Sequence, residues 1–146
     1  MNKKRLKEYC DVEFENISMV LNELFSVLDE NKSEYSKAEL AAIATFLHNY
    51  YSGTENIIKR VLQFENCKIK NSATWHKDLL KICFEKGIIA EELFHSLLSF
   101  LSFRHYFVHS YSFNLRWEEL KPLVNTVKET NKNISFSIYN WIDNLK

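Results

Sequence analysis

The chain has 146 residues, of which 46% are hydrophobic, so it can enclose one good core, and we expect a single domain over residues 1–146. Its 19 basic and 19 acidic side chains cancel. Net charge therefore indicates neither a nucleic-acid nor a membrane partner, and contact with either would need a local basic patch. Two glycines and one proline are too few for a turn-rich fold of many strands, and they favour long helices.

The sequence contains only weak signals for export, for a membrane span or for disulfide bonds. The basic stretch at residues 1–7 is not followed by the apolar run of a signal peptide. No apolar segment reaches the roughly 18 residues that span a bilayer, so we expect a cytoplasmic protein without membrane contact. Cys10, Cys67 and Cys83 are odd in number, widely spaced and without a CxxC pair. This pattern favours buried, reduced thiols over a disulfide framework or a zinc site.

The first predicted helix covers about residues 3–30, because apolar side chains recur there at helical spacing. They are Cys10, Phe14, Ile17, Leu21, Leu24 and Leu28. A polar stretch at residues 31–35 ends this helix. Ser36 and Glu39 then have the spacing of a capping box, in which two side chains satisfy free amides of a first helical turn. A second helix is therefore predicted from residue 36 to about residue 65.

The second helix has an unbroken apolar seam of the same spacing. It consists of Leu40, Ile43, Leu47, Tyr50, Thr54, Ile57, Val61 and Phe64. Gly53 lies inside this helix, where glycine costs roughly 1 kcal/mol relative to alanine. We expect the close approach of a neighbouring helix at Gly53 to offset that cost.

The remaining chain is predicted to add two or three helices. Residues 66–73 are polar and basic and form a loop, after which Thr74 can cap a shorter helix that ends at Gly87. A fourth helix covers about residues 89–111. Residues 114–121 form a turn or a short helical start, and Pro122 lies either in the first turn of the last helix or at a kink. The prediction is an all-α, up-and-down bundle of four or five helices.

The fourth helix concentrates the candidate chemistry. Residues 93–103 carry no charge, and Arg104, His105, His109 and Tyr111 follow within two helical turns. A helix that is apolar nearly all round is expected to be buried in the bundle. Its polar groups must then be paired, hydrated or functional.

Helical geometry limits how these side chains can meet. Arg104 and Tyr111 share almost one face, whereas His105 and His109 stack one turn apart on an adjacent face. Arg104 and His109 lie about 140° apart around a straight helix. A site that uses both needs the long reach of arginine, a distorted last turn, or a second copy of the helix, which a symmetric dimer supplies.

Two interpretations of this R-x4-H-x-Y pattern stay open. One is a structural polar network that anchors helix ends, which is the commoner use of such groups. The other is metal-independent RNA cleavage, in which His109 takes the proton of the ribose 2′-hydroxyl or protonates the leaving oxygen. Arg104 would clamp the phosphate and stabilise its growing charge. His105 either assists, by holding a phosphate or the second proton, or fills a hydrogen-bonded slot.

Metal binding is a weaker alternative. His105 and His109 at i and i+4 lack the glutamate of the H-E-x-x-H pattern. Glu92 and His95 have the E-x-x-H spacing of di-iron bundles, but such sites need two copies and the chain offers one. No metal is expected.

Other polar residues are interpreted as structural. His48 and His76 are isolated in the sequence and are read as surface or hydrogen-bonded core histidines. A modest basic cluster is a solvated face that could also steer RNA. It consists of Lys68, Lys70, Lys77 and Lys81.

The stretch FRHYFVHSY at residues 103–111 resembles the R-x4-6-H signature of the HEPN superfamily. Its R-x4-H-x-Y form is that of HepT-like toxins, which pair with minimal nucleotidyltransferases in toxin–antitoxin systems. Three further stretches resemble the same proteins in the same order, namely YSGTENII at 51–58, WHKDLL at 75–80 and WEELKPL at 117–123. One position departs from the pattern, because Val108 stands where many relatives carry a second arginine.

The resemblance implies an endoribonuclease toxin of a type VII-like system, which cleaves RNA such as tRNA or mRNA without a metal or other cofactor. It implies a homodimer in which two motifs line one cleft, with Arg104 and His109 as the catalytic pair. His105 matches the polar residue that often follows the arginine. Tyr111 matches the tyrosine that the cognate nucleotidyltransferase antitoxin modifies with AMP, whose negative charge would repel RNA. The alternative function is a non-catalytic helical module that binds a nucleotide or a protein.

Overall fold

The computed structural model describes residues 1–111 and 114–145, and within them it contains five α-helices and no strand. The helices are α1 (Lys3–Val27), α2 (Lys37–Phe64), α3 (Trp75–Glu85), α4 (Glu91–His109) and α5 (Trp117–Asp143). The predicted all-α bundle is therefore confirmed. α5 begins at Trp117, so residues 117–121 of the predicted turn or helical start are helical and residues 114–116 precede the helix. Pro122 lies inside α5, beyond its first turn, without ending the helix.

The central element of the bundle is α2, which packs against each of the other four helices. Apolar side chains from all five helices form one buried core around it. Tyr50, Tyr51 and Phe100 are among its largest fully buried side chains, and the rings of Tyr50 and Phe100 meet edge to face at 5.3 Å. Because α2 is packed on several sides, the side chains at its partly exposed edge are held by a rigid helix.

The expectation that α4 is buried nearly all round is wrong. Leu93, Leu97, Phe100 and Phe103 are buried, but the opposite face is open to solvent. That open face carries His95, Ser99, Ser102, His105 and His109. The absence of charge along residues 93–103 therefore reflects small and aromatic polar side chains rather than burial on every side. No helix in the described part of the chain is long and apolar enough to cross a membrane.

Local side-chain chemistry sets the helix ends. The predicted capping box is present, with the Ser36 hydroxyl accepting from the Glu39 amide and the Glu39 carboxylate accepting from the Ser36 amide. Together with Lys32, these contacts lower the pKa of Glu39 to about 2. Gly87 adopts φ +75° just after α3, as predicted. Asn66 does the same after α2 with φ +59°, because asparagine tolerates the left-handed region better than other non-glycine residues.

Two predicted helices are shorter than expected. α1 ends at Val27, because the Asp29 amide donates to the Tyr35 hydroxyl at 3.0 Å and the Asn31 amide donates to the Asp29 carboxylate at 3.0 Å. These bonds fold the next residues into a turn. α4 ends at His109, since Ser110 is extended.

Gly53 allows α1 and α2 to approach closely, which confirms the expected reason for a glycine at this position. A Cβ atom at Gly53 would lie 2.9 Å from Cγ1 of Ile17 on α1. Ile17 is buried and branched at Cβ, so it has little room to move aside. Close packing of the two helices therefore offsets the weak helix propensity of glycine.

The three cysteines are free thiols. Cys10 and Cys83 are buried as predicted, and burial raises the pKa of each to about 12. Cys67 is only half-buried. Neither buried thiol is available as a nucleophile, because the thiolate form is suppressed at neutral pH.

Candidate functional site

The predicted site residues lie on two different faces at the C-terminal end of α4. Arg104 is half-buried and lies on the side that packs on α2, whereas His105 and His109 are exposed. α4 stays α-helical through His109, so Arg104 and His109 remain about 140° apart around its axis. No hydrogen bond joins them in the described residues. Distortion of the last turn is therefore not what brings arginine and histidine together.

The two motif histidines form a pair on the exposed face of α4. Their ring centroids are 4.8 Å apart and the planes are inclined at 63°, an edge-to-face contact. This is the i, i+4 stacking that the sequence predicts. Because both rings are open to solvent, a substrate can reach His105 and His109 together.

A polar row on α2 faces Arg104. His48, Tyr51 and Glu55 are three and four residues apart, so they lie along one face of α2. The His48 ring contacts Phe107 with centroids 5.0 Å apart, and Phe107 is one helical turn beyond Arg104. The α2 row and the inner edge of the motif helix are thus in contact.

At the far end of the row, Glu55 is held by α3. Both carboxylate oxygens of Glu55 lie within 2.9 Å of Nδ1 of His76. Glu55 is only 7% exposed, so this is a largely buried ion pair or hydrogen bond. His76 also stacks on Trp75 at 3.6 Å. The interpretation of His76 as a satisfied structural histidine is therefore supported by its contacts.

Arg104 carries a positive charge without an anionic partner in the described residues. The nearest acidic group in the row, Glu55, is paired with His76 instead. The charge is felt by its neighbours: burial lowers the pKa of His48, Arg104 lowers it further, and Glu55 opposes both. A half-buried guanidinium of this kind favours an incoming anion, and its planar fork of donors matches a phosphate.

Nδ1 of His48 is buried near Arg104 without a hydrogen-bond partner, and Oη of Tyr51 is buried on the same face of α2, where the Glu55 carboxylate is its neighbour. Burial raises the pKa of Tyr51, with Glu55 adding to the rise and Arg104 opposing it. Orphan polar atoms of this kind are uncommon in protein interiors. The contact between α2 and α4 therefore contains a buried polar atom that the packing of the two helices leaves unpaired.

The segment after α4 places Tyr111 at the surface. The Tyr106 hydroxyl donates to the carbonyl of Asn114 at 3.2 Å, and the Asn114 amide donates to the carbonyl of Tyr111 at 3.0 Å. These two bonds connect Asn114 to the last turn of α4 and to Tyr111. Tyr111 is 72% exposed and Val108 is 48% exposed. Tyr111 lies two residues beyond His109, the last residue of α4.

The rest of the described chain contains weaker candidates for a functional site. No group of three or more His, Cys, Asp or Glu side chains in residues 1–111 and 114–145 is arranged to hold a metal. Two surface pockets, of about 530 and 310 Å³, lie along α5 and between α4 and α5, and neither is lined by Arg104 or His109. The predicted basic cluster is a solvated face: its lysines are exposed, and Lys81 lies 4.0 Å from Glu85.

Sequence reasoning missed His48. Its neighbours in the chain carry no related chemistry, so the sequence predicts an isolated histidine rather than a helical row with Tyr51 and Glu55. The spacing of the three residues was the available signal. What it could not show is that this face of α2 meets Arg104 rather than solvent.

An all-helical bundle whose fourth helix ends in an arginine and two histidines has the architecture of HEPN proteins. The family described as "HepT-like protein" matches residues 42–145. The chain therefore belongs to the HepT-like family of the HEPN superfamily. The match begins within α2 and includes the polar row, α3, α4 and all of α5. Comparisons with curated proteins and with solved structures found no match.

Proposed function

We propose that this protein is a toxin endoribonuclease of a type VII-like toxin–antitoxin system, which cleaves tRNA or mRNA without a metal ion. The observation that carries the proposal is the half-buried Arg104, which has no anionic partner among the described residues and lies on the same helix as two exposed histidines. Membership of the HepT-like family supports it.

The chemistry assigned to these groups is attack by the ribose 2′-hydroxyl on the adjacent phosphate. One imidazole of the His105 and His109 pair accepts the hydroxyl proton, and an imidazolium donates a proton to the leaving 5′-oxygen. The new 2′-O–P bond replaces the P–O5′ bond, which leaves a 2′,3′-cyclic phosphate and a 5′-hydroxyl. Arg104 binds the non-bridging oxygens, where negative charge grows in the transition state.

A homodimer is part of the proposal. One straight α4 holds Arg104 and His109 on different faces, and in this proposal a second copy supplies one of them to the phosphate, rather than the long reach of arginine within one copy. The open face of α4 has small side chains at Ser99 and Ser102, which allow the helix of a second copy to approach. In this arrangement the phosphate lies between the two protomers.

The test is an RNA cleavage assay in excess EDTA. Wild-type protein is expected to cut tRNA or mRNA and to leave 2′,3′-cyclic phosphate ends. His109→Ala is expected to lower the cleavage rate by about a thousandfold, because general acid–base catalysis contributes roughly 10²–10⁴. His95→Ala is the matched control: His95 is also exposed on α4, but it lies near Glu91 at the other end of the helix.

Two outcomes would contradict the ribonuclease assignment. The first is intact RNA after prolonged incubation with wild-type protein. The second is equal cleavage by wild type and His109→Ala, which would indicate a contaminating nuclease. Tight nucleotide or protein binding with no turnover would instead support the alternative function, a non-catalytic helical module.

Tyr111 is proposed as the residue that the antitoxin modifies. Its exposure beside His109 makes the hydroxyl accessible to a nucleotidyltransferase, and AMP attached there would add negative charge at the phosphate site. Co-expression with the cognate nucleotidyltransferase is expected to add AMP to Tyr111, detected by peptide mass spectrometry, and to abolish cleavage. Tyr111→Phe should stay unmodified and toxic, with Tyr139→Phe, which removes a hydroxyl bonded to Asp11, as the modified control. Neutralisation of Tyr111→Phe through AMP at another residue would refute this assignment.

A further inference from the structure

His48 lies at the point where α2 meets the end of the motif helix. Its ring contacts Phe107, and Arg104 is close enough for its charge to act on the imidazole. Nδ1 is completely buried and has no hydrogen-bond partner, although the residue as a whole is only half-buried. Nε2, by contrast, is not one of the buried polar atoms that lack a partner, so it is the ring nitrogen that solvent can reach.

The surroundings of His48 define its protonation state. Burial and the positive charge of Arg104 lower the pKa of His48 and so disfavour the protonated imidazolium. Glu55 raises this pKa, but its carboxylate is already paired with His76. The neutral ring carries one proton. Placed on Nδ1, that proton would form a buried N–H group without an acceptor, which is the rarer and costlier kind of orphan. The proton is therefore favoured on Nε2.

A neutral imidazole with an outward Nε2–H is a hydrogen-bond donor beside a guanidinium that has no anion. Both groups suit the oxygens of a phosphate, one as a charged fork and the other as a neutral donor. The contact between α2 and α4 thus offers donors from two helices to one anion.

We propose that His48 is a further substrate-contacting residue, whose Nε2–H donates to a non-bridging oxygen of the phosphate held by Arg104. This inference rests on the proposed ribonuclease function and extends its site from α4 to α2. His48 stabilises charge on the phosphate and takes no part in proton transfer, which remains with His105 and His109. Because Phe107 and the buried Nδ1 fix the ring, little reorganisation is needed as charge develops.

The sharpest variant is His48→Phe, which keeps an aromatic ring against Phe107 and removes both nitrogens. It also removes the orphan Nδ1, so its melting temperature is expected to equal or exceed that of the wild type. RNA cleavage is nevertheless expected to fall at least about tenfold, because a hydrogen bond to a charged oxygen is lost. His48→Gln, which restores an N–H donor, should recover part of the rate. A purely structural histidine would give the opposite pattern, with changed stability and an unchanged rate.

A binding measurement separates this inference from the proposed function. The probe is a 2′-O-methyl oligoribonucleotide, which carries RNA phosphates but has no free 2′-hydroxyl to attack them. Its titration into wild-type protein is expected to shift the His48 imidazole signals in NMR spectra, assigned by their loss in His48→Phe. The shift should disappear in Arg104→Ala.

Each outcome has a clear meaning for His48. Wild-type cleavage rates in His48→Phe, or imidazole signals that do not move with the oligonucleotide, overturn the inference and leave the ribonuclease proposal standing. If the wild type binds the oligonucleotide through His48 but never cleaves RNA, the phosphate contact is supported and the ribonuclease proposal fails. If His48→Phe does not fold, the His48→Gln rate and the wild-type titration decide the question.

Discussion

Arg104→Ala is expected to lower the single-turnover rate of RNA cleavage by about a thousandfold, the upper end of the loss caused by removing one preorganised donor to a transition-state oxyanion. The reason is that Arg104 has no anionic partner in the described residues, so its charge is available to the phosphate. Arg104→Lys should restore only a small part of the rate, because an ammonium cannot bind two oxygens as a planar fork. Arg116→Ala is the control, since Arg116 is exposed and paired with Glu119 at 3.3 Å.

A site shared between two protomers predicts that two inactive variants, one of them at Arg104, complement each other in a mixed dimer. Mixing and refolding Arg104→Ala with His109→Ala produces dimers in which one of the two clefts keeps an intact arginine and an intact histidine. Such mixtures are expected to regain roughly one quarter of wild-type activity, because half of the dimers are mixed and each has one working cleft. No recovery, or a monomer by light scattering at micromolar concentration, would show that one chain does not share its site with another.

Of the substitutions proposed for this protein, removal of His76, the partner of Glu55, is expected to cause the largest loss of stability. His76→Phe keeps a ring against Trp75 but leaves the Glu55 carboxylate buried without the imidazole that contacts both its oxygens. Breaking a buried pair in this way should lower the free energy of unfolding by about 3 kcal/mol. In a chain of this length that corresponds to a fall in melting temperature of roughly 6–12 °C, measurable by circular dichroism.

The double variant Glu55→Leu, His76→Phe is the matched comparison. It removes both partners and is expected to be close to wild type in stability, because an apolar pair of similar volume often replaces a buried ion pair without loss. A loss below about 1 kcal/mol for His76→Phe alone would contradict the prediction. It would mean that the Glu55 carboxylate finds another hydrogen-bond or ionic partner in the variant.

The helices could be predicted from the sequence because their causes are local. Apolar side chains recur at helical spacing, and Ser36 with Glu39 satisfies the amides of one turn through neighbouring atoms. The errors at helix ends have equally local but less visible causes. The early end of α1 depends on the hydroxyl of Tyr35 reaching back to Asp29, a bond that no periodic pattern announces.

The candidate site also has a part that the sequence predicts, on α4, and a part that it does not, on α2. Arg104 and His109 lie within one helix, so their spacing and angular separation follow from the chain alone, whereas Tyr111 lies beyond the end of α4 and its position does not. The row on α2 was missed because a residue's role there depends on which helix packs against it. His48 and His76 were given one interpretation, yet His76 contacts a buried carboxylate and His48 lies beside an unpaired guanidinium.

The sequence by itself determined the helical class, most helix boundaries and the polar end of α4, since these depend on contacts between residues a few positions apart. Only the tertiary structure decided that α4 has an open face, that α2 is the central helix, and that Arg104 faces a row of polar groups from another helix. The physical reason is that burial and electrostatic environment are set by packing between distant segments. Local periodicity defines which face of a helix is apolar but not what lies opposite its edges.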